Sequence, residues 1–377
     1  MLSISQLIDN SAQQLQAVSD SARLDSELLL CSVLKKDRSF LRAWPEQGLD
    51  QQQLISFQQL LELRLQGKPV AHILGERGFW SLNLKVTTDT LIPRPDTERL
   101  VELALELIPE KSHWKILDLG TGTGAIALSL AKEKPGCFIT ATDQSISALK
   151  VAKQNAAENK ISNIDFIQSN WFENLNEDGH QQFDMIVSNT PYIKENDPHL
   201  EQGDVRFEPL SALTAGEDGL DDIRIIIKDS QKHLTQNGVL LIEHGYEQAD
   251  AVCGLLKAAS FTQVANFKEY NDHPRVSAGH IKSLIIRLYQ RFKSYKLAFA
   301  IHPALIKVRF KVTAMRMTNF TKQRDVMFNP LHDDENQALT ASQMLVDLDG
   351  VVLADPISET HLIIRYDLRF FTLVDIE

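Results

Sequence analysis

Two short segments hold residue types whose order suggests chemistry. Asp118-Leu119-Gly120-Thr121-Gly122-Thr123-Gly124 passes from an apolar stretch into a helical one through three glycines. Ile186-Val187-Ser188-Asn189-Thr190-Pro191-Tyr192 ends an apolar run in a polar Asn-x-Pro-aromatic corner. Glycine has no Cβ, so the first segment can take positive φ and bring backbone close to a ligand. Dinucleotide turns space their glycines G-x-G-x-x-G; here Gly124 comes one residue early and Asp118 stands two residues before Gly120. A carboxylate there repels a pyrophosphate but can pair with an ammonium group, which favours S-adenosylmethionine. Asp143 follows Gly120 by 23 residues, at the end of the next apolar run, where it can accept from ribose hydroxyls. Asp118, Gly120, Thr121, Gly122, Thr123, Gly124 and Asp143 are therefore the expected cofactor-binding residues.

The corner suits methyl transfer to a planar, weakly nucleophilic nitrogen. An amide nitrogen has its lone pair delocalised into the carbonyl. A site helps by accepting both N–H hydrogens, which aims what remains of the lone pair at the methyl group. Asn189 Oδ1 and the main-chain carbonyl of Thr190 are two suitable acceptors, and Tyr192 can wall one face of the planar group. The methyl sulfonium is already a strong electrophile, so proximity and alignment should suffice without a strong general base. Asn189, Thr190, Pro191 and Tyr192 are the expected catalytic residues.

These segments need a scaffold that presents both at one edge. Residues 1–70 read as a helical domain: Leu24, Leu28 and Cys31 recur at helical spacing, as do Leu54, Phe57, Leu61 and Leu65, while Asp25, Glu27, Arg38 and Arg64 fall on polar faces. Within residues 71–95, a linker, the alternation of Phe79–Val86 reads as one arm of a β-hairpin. Asp96-Thr97-Glu98 is placed to start a helix that runs to about Leu107. From Trp114 strands and helices alternate: strands at 115–119, 138–142, 165–168, 185–188 and 239–243, helices at 125–131, 145–159 and 221–234, with a turn at Asn237-Gly238. This is an α/β pattern with a mainly parallel sheet, whose ligands sit at the carboxyl ends of the strands. The catalytic domain is expected over 96–280, followed by an extension over 281–377.

Composition narrows the alternatives. With 43% hydrophobic and 24% charged residues the chain is of ordinary globular make-up. No apolar run reaches the ~20 residues of a membrane span, and no signal-peptide pattern opens the chain; a cytoplasmic monomer is the expectation. Cys31, Cys137 and Cys253 are scattered without metal-ligand spacing, so no metal is expected. Residues 281–316 hold nine Lys or Arg and no acid, residues 317–377 sum to −7, and the first 280 residues therefore sum to −13. A body so acidic is poorly suited to a duplex-DNA backbone.

Taken together, Asp118–Gly124, Asp143, Asn189–Tyr192, Ile92-Pro93-Arg94-Pro95-Asp96-Thr97-Glu98 and Tyr270-Asn271-Asp272-His273-Pro274-Arg275-Val276 resemble the release-factor glutamine methyltransferase family over residues 1 to about 280. The resemblance implies a class I, Rossmann-like S-adenosylmethionine-dependent methyltransferase with a small helical N-terminal domain that recognises substrate. Its implied reaction methylates the side-chain amide of the glutamine in the Gly-Gly-Gln loop of bacterial peptide-chain release factors. It also implies that Gly120–Gly124, Asp143, Trp171 and Asn189 contact the cofactor and that Asn189–Tyr192 embrace the glutamine. Arg94 and Glu98 read as structure at the helix start. Two rivals differ in class. An adenine DNA methyltransferase shares the corner, because an exocyclic amine poses the same problem, but needs base flipping and a DNA-reading segment. A catalytically impaired binding protein would keep the fold without the reaction.

The chain departs from the family at Thr190, where the family's corner is Asn-Pro-Pro-Tyr. The carbonyl survives, but the fixed φ of proline is lost, and a slower enzyme is expected. Residues 281–316 read as translated spacer and Met317 as a fresh start, so a lost stop or shifted frame joining a downstream reading frame is the expectation. The alternative is a basic arm for ribosomal RNA. Asp347-Leu348-Asp349-Gly350-Val351 resembles a haloacid-dehalogenase nucleophile loop, but only 27 residues follow Gly350, and a hairpin turn is the better reading.

Overall fold

The computed structural model describes residues 2–175 and 182–281, together with three strands at 321–327, 351–358 and 361–367. The chain divides into two units, Met1–Ile281 and Lys282–Glu377.

The first unit opens with five helices: α1 (Ile4–Leu15), α2 (Ala22–Leu34), α3 (Arg38–Ala43), α4 (Gln51–Leu65) and α5 (Val70–Leu74). Ser3 and Asp50 cap α1 and α4 with reciprocal bonds to Gln6 and Gln53, satisfying backbone donors that a helix start leaves open. Ile4, Leu29, Leu30, Leu49 and Phe57 close the core of this bundle.

Two expectations are corrected here. Leu24 is exposed, while Asp25, Ser26, Leu29 and Leu30 form the buried side of α2. Asp25, Glu27 and Arg64 are not on polar faces but buried. Arg64 Nε donates to Asp25 at 2.7 Å and Arg38 Nε to Glu27 at 2.6 Å. A buried charge is tolerated when paired and hydrogen-bonded, which lets Asp25 and Glu27 lie on the buried side of α2.

The helical region also runs on through α5, which ends at Gly75 in the left-handed conformation. A hairpin follows, β1 (Glu76–Phe79) with β2 (Leu82–Lys85). The alternating segment thus holds a turn and not a single arm: Phe79 pairs with Leu82 across Trp80-Ser81, and Trp80 takes φ 54°.

A 3₁₀ turn at Pro95–Thr97 leads into α6 (Glu98–Leu107). The alternation then runs β3 (Lys115–Leu119), α7 (Ala125–Glu133), β4 (Phe138–Asp143), α8 (Ile146–Glu158), β5 (Ile164–Gln168), β6 (Phe183–Asn189), α9 (Asp221–His233), β7 (Leu234–Glu243), α10 (Ala249–Ala258), β8 (Thr262–Lys268) and β9 (Pro274–His280). The turn expected at Asn237-Gly238 is an excursion within β7, between Leu234 opposite Phe183 and Val239 opposite Met185, with Asn237 at φ 63°.

The seven strands lie in the order β5-β4-β3-β6-β7-β9-β8. The first five are parallel, and β9 is antiparallel to both β7 and β8. Helices α6 and α7 pack with the hairpin on one face, around Leu84, Leu100, Ile126 and Leu128. Helices α9 and α10 cover the other, around Ile223, Ile226, Val252 and Leu256. Strands buried on both faces read as near-continuous apolar runs, as Met185–Val187 and Val239–Ile242 do.

This order reverses direction between β3 and β6. The chain steps outward from β3 to β5, then returns to β6 on the other side. Loops after β3 and β6 must therefore diverge, leaving a crevice where open α/β sheets bind ligands. Leu119 pairs with Ser188, so Gly120, just past β3, and Asn189, the last residue of β6, come side by side at that crevice.

The second unit contributes β10 (Thr321–Met327), β11 (Val351–Ser358) and β12 (His361–Asp367), an antiparallel sheet in the order β10-β12-β11. No strands are assigned to residues 317–377 from the sequence beyond a hairpin turn at Asp347–Val351, so these three strands are an addition. Pro356 sits in edge strand β11 next to a register shift, where a missing N–H is tolerated. The sequence readings of residues 282–316 and of Asp347–Gly350 lie outside the described residues. Among the described residues no helix is long and apolar enough to cross a membrane.

Candidate active site

The turn after β3 is held from beneath. Gly120, Gly122 and Gly124 take φ of 70°, 55° and 84°. A Cβ on Gly124 would lie 3.0 Å from Leu128 and 3.3 Å from Ala152, a tight fit that adds to the preference for glycine set by its positive φ. Thr121 N–H donates to Thr142 O at 2.8 Å and Gly122 N–H to Asp143 Oδ2 at 2.9 Å. Asp143 Oδ1 accepts from Ser145 N–H at 2.8 Å, at the start of α8. Burial raises the Asp143 carboxyl above its usual range, against these two N–H bonds.

Asp118 departs from its expected place. It lies under the turn, fully buried, and its Oδ2 accepts from Thr121 Oγ1 at 2.6 Å. Oδ1 has no hydrogen-bond partner. Burial pushes this carboxyl up to about 7, against the Thr121 bond. Its observed work is to fasten the turn.

The corner after β6 is clamped from three sides. Ser188 Oγ donates to Leu119 O at 2.8 Å, tying β6 to β3 beside the turn. Ile193 N–H donates to Leu213 O at 2.9 Å, and Ala215 N–H to Ile193 O at 3.0 Å. Gln248 Nε2 donates to the carbonyl of Tyr192 at 3.0 Å while its Oε1 accepts from Gly245 N–H at 2.9 Å. Asn189 Nδ2 donates to Thr97 Oγ1 at 3.1 Å. Burial pushes the Tyr192 hydroxyl up to about 12, so it stays neutral. Thr190 is buried and its Oγ1 has no partner.

Between turn and corner lies a cleft enclosing about 750 Å³ of empty space, part of it open to solvent. Gly120, Gly122, Asp143, Trp171, Asn189 and Pro191 line it. Trp171, at φ 49°, is held by a bond from its Nε1 to Asp222 at 3.2 Å. Asp118, Thr121, Thr123 and Gly124 are not among its lining residues and belong to the turn that carries Gly120 and Gly122, while Thr190 and Tyr192, also outside this lining, belong to the corner that carries Asn189 and Pro191. Among the described residues no His, Cys, Asp and Glu are grouped to hold a metal ion.

The comparisons with known proteins agree with this geometry. A family model described as a methyltransferase domain matches residues 110–296, and one described as the PrmC N-terminal domain matches residues 6–75. The release factor glutamine methyltransferase of Shewanella oneidensis is 48% identical over 272 residues, which are 72% of this chain and 94% of that protein. The protein of the same name from Vibrio cholerae is 50% identical over 268 residues, 71% of this chain and 93% of that one. For that of Escherichia coli K12 the figures are 50% over 266 residues, 71% and 94%.

The chain belongs to the release factor glutamine methyltransferase family.

As a release factor glutamine methyltransferase family member, it carries structural residues that its sequence did not disclose. Glu208 is buried, its Oε2 accepts from Ile92 N–H at 2.9 Å, and Arg94 pairs with it. This pair ties the segment before α6 to the loop bearing Pro209, Ser211 and Ala212, which line the cleft. Glu98 accepts from Trp80 N–H at 2.8 Å, a structural role as expected. Gln248 and Glu243 were missed altogether. Their only sequence signal is a polar residue adjoining an apolar strand or helix.

Proposed function

We propose that this enzyme binds S-adenosylmethionine in the cleft between β3 and β6 and methylates the side-chain amide of the Gly-Gly-Gln glutamine of bacterial peptide-chain release factors. The observation that carries the reading is the meeting of Gly120–Gly124 and Asn189 at the reversal point of the sheet. Relatives bearing that activity in their names match 71–72% of this chain and 94% of their own length.

The residues fit the cofactor. Asp143 keeps lone pairs on both oxygens after taking two N–H bonds, which can accept from ribose hydroxyls. Trp171 supplies an aromatic surface beside Gly120. When bound, S-adenosylmethionine supplies an electrophilic methyl group.

The chain's own residues prepare the acceptor. Asn189 gives its NH₂ end to Thr97, which leaves Oδ1 to accept one hydrogen of the glutamine amide. The carbonyl of Thr190 accepts the other. With both N–H bonds engaged the amide cannot rotate, and its nitrogen is presented from a fixed direction. Tyr192, neutral and clamped through its carbonyl by Gln248, bounds the far side.

The test is transfer of labelled methyl from S-adenosylmethionine to an unmethylated release factor. Label on the factor supports the reading. Label on an adenine-containing oligonucleotide and none on the factor replaces it with the adenine reading.

A further inference from the structure

Asn189 and Glu243 are register partners on the parallel strands β6 and β7. Glu243 is 1% exposed, yet its Oε2 makes no hydrogen bond. Its neighbours come from every side: Asn189 on β6, Asp96 and Thr97 before α6, and Arg275 on β9. Asn189 Nδ2 donates to Thr97 Oγ1 at 3.1 Å. Thr97 and Asn189 are thus the neutral polar side chains next to a buried carboxylate oxygen that has no partner. A threonine hydroxyl has a single proton to give. Having accepted from Asn189, Thr97 keeps that proton to give, and Glu243 Oε2 is a buried acceptor without a partner.

Resting on the reading above, we propose that Glu243 is a positioning residue whose carboxylate, directly and through Thr97, holds the NH₂ end of Asn189 so that Oδ1 faces the substrate amide. An ionised carboxylate only accepts, so it selects the orientation that turns Nδ2 inward. A neutral carboxyl can instead donate to Oδ1. The reversed side chain then offers N–H groups to an incoming NH₂, donor against donor, and one acceptor of the site is lost.

The titratable groups facing Glu243 are Arg275 and Asp96, themselves paired at 3.2 Å, and Tyr192, which stays neutral. Arg275 Nη1 also donates to the carbonyl of His244 at 3.3 Å. Burial pushes the Glu243 carboxyl up to about 7, against the bond from Thr97 and the charge of Arg275. The orientation of Asn189 therefore changes within the range of pH in which the enzyme can be assayed.

The experiment follows the side-chain NH₂ signals of Asn189 in the ¹⁵N-labelled full chain, identified by their loss in Asn189→Ser, across pH 5.5 to 8.5. In the wild type they shift with one midpoint near 7, and in Glu243→Gln they do not. Thr97→Val, which removes the hydroxyl beside the carboxylate, moves the midpoint upward. In parallel, the kcat for release-factor methylation rises through the same midpoint in the wild type with KM for the factor unchanged. It is flat and about tenfold below the plateau in Glu243→Gln. Wild-type Asn189 signals that ignore pH overturn the proposal. So does a titration that persists in Glu243→Gln or keeps its midpoint in Thr97→Val. If the wild type methylates no release factor, the functional reading falls, while the amide titration still decides the role of Glu243.

Discussion

The guanidinium of Arg64 on α4 donates to the carboxylate of Asp25 on α2 at 2.7 Å, both side chains being less than a tenth exposed. Arg64 also reaches Asp204 at 2.8 Å, in the loop that leads to Glu208 and the cleft wall. The helical bundle is thus fastened to the catalytic domain by one buried cation.

Removing that cation leaves Asp25 buried without a counter-charge, which in comparable sites costs about 3–5 kcal/mol. Arg64→Met should therefore lower the unfolding midpoint strongly in a denaturant titration. Adding Asp25→Leu should recover most of the loss, because a well-packed apolar pair replaces a buried ionic one at little cost. A single variant as stable as wild type contradicts the role given to Arg64.

Asp143 organises the cofactor turn by accepting from Gly122 and Ser145. Asp143→Ala leaves those donors without their acceptor and removes the ribose contact proposed above. Lost hydrogen bonds to a charged group amount to about 1.5–3 kcal/mol, so affinity for S-adenosylmethionine should fall by roughly 10- to 150-fold. Calorimetric titration reads this directly, and unchanged affinity removes Asp143 from the site.

The buried carboxyl of Asp118 is raised from 3.8 to about 7 by burial. The folded state then holds a proton that the unfolded state has released between those values. Stability must fall as pH rises from about 4 to about 7. Asp118→Asn should flatten that part of the stability profile measured by urea unfolding in the cofactor-free protein. A profile with the same slope in both proteins contradicts the assignment.

Much of this architecture was legible beforehand, for identifiable reasons. The alternation of apolar runs with helical ones located β3, β4, β6 and β7, because strands buried on both faces must be apolar. The glycine turn and the Asn-Thr-Pro-Tyr corner were legible because backbone geometry and acceptor placement restrict residue type locally. What escaped notice depends on partners far along the chain. Asp25 looked like a surface residue because its partner, Arg64, is 39 residues away. Glu208 bonds across 116 residues and Gln248 across 56, and no local pattern marks either. Asp118 was expected to face the ligand because its spacing from Gly120 allows that. The fold places it below the turn instead.

Thr190 is 2% exposed and its hydroxyl has no partner. An unpaired buried hydroxyl costs about 1–3 kcal/mol, so Thr190→Val should match or exceed the wild type in thermal stability. Thr190→Pro restores the family's corner and removes backbone freedom worth about 0.4–1 kcal/mol. Turnover should rise several-fold. Equal turnover of Thr190→Pro and wild type contradicts the expectation that Thr190 slows this enzyme.

The most direct test of the central claim is mass spectrometry of the Gly-Gly-Gln peptide of an unmethylated release factor after incubation with the enzyme and S-adenosylmethionine. The account predicts one added methyl group on the glutamine side chain, with the rate falling about 100-fold or more in Asn189→Ala, as loss of one preorganised polar contact implies. A peptide that remains unmodified while the enzyme binds S-adenosylmethionine, or that is modified as fast by Asn189→Ala, contradicts it.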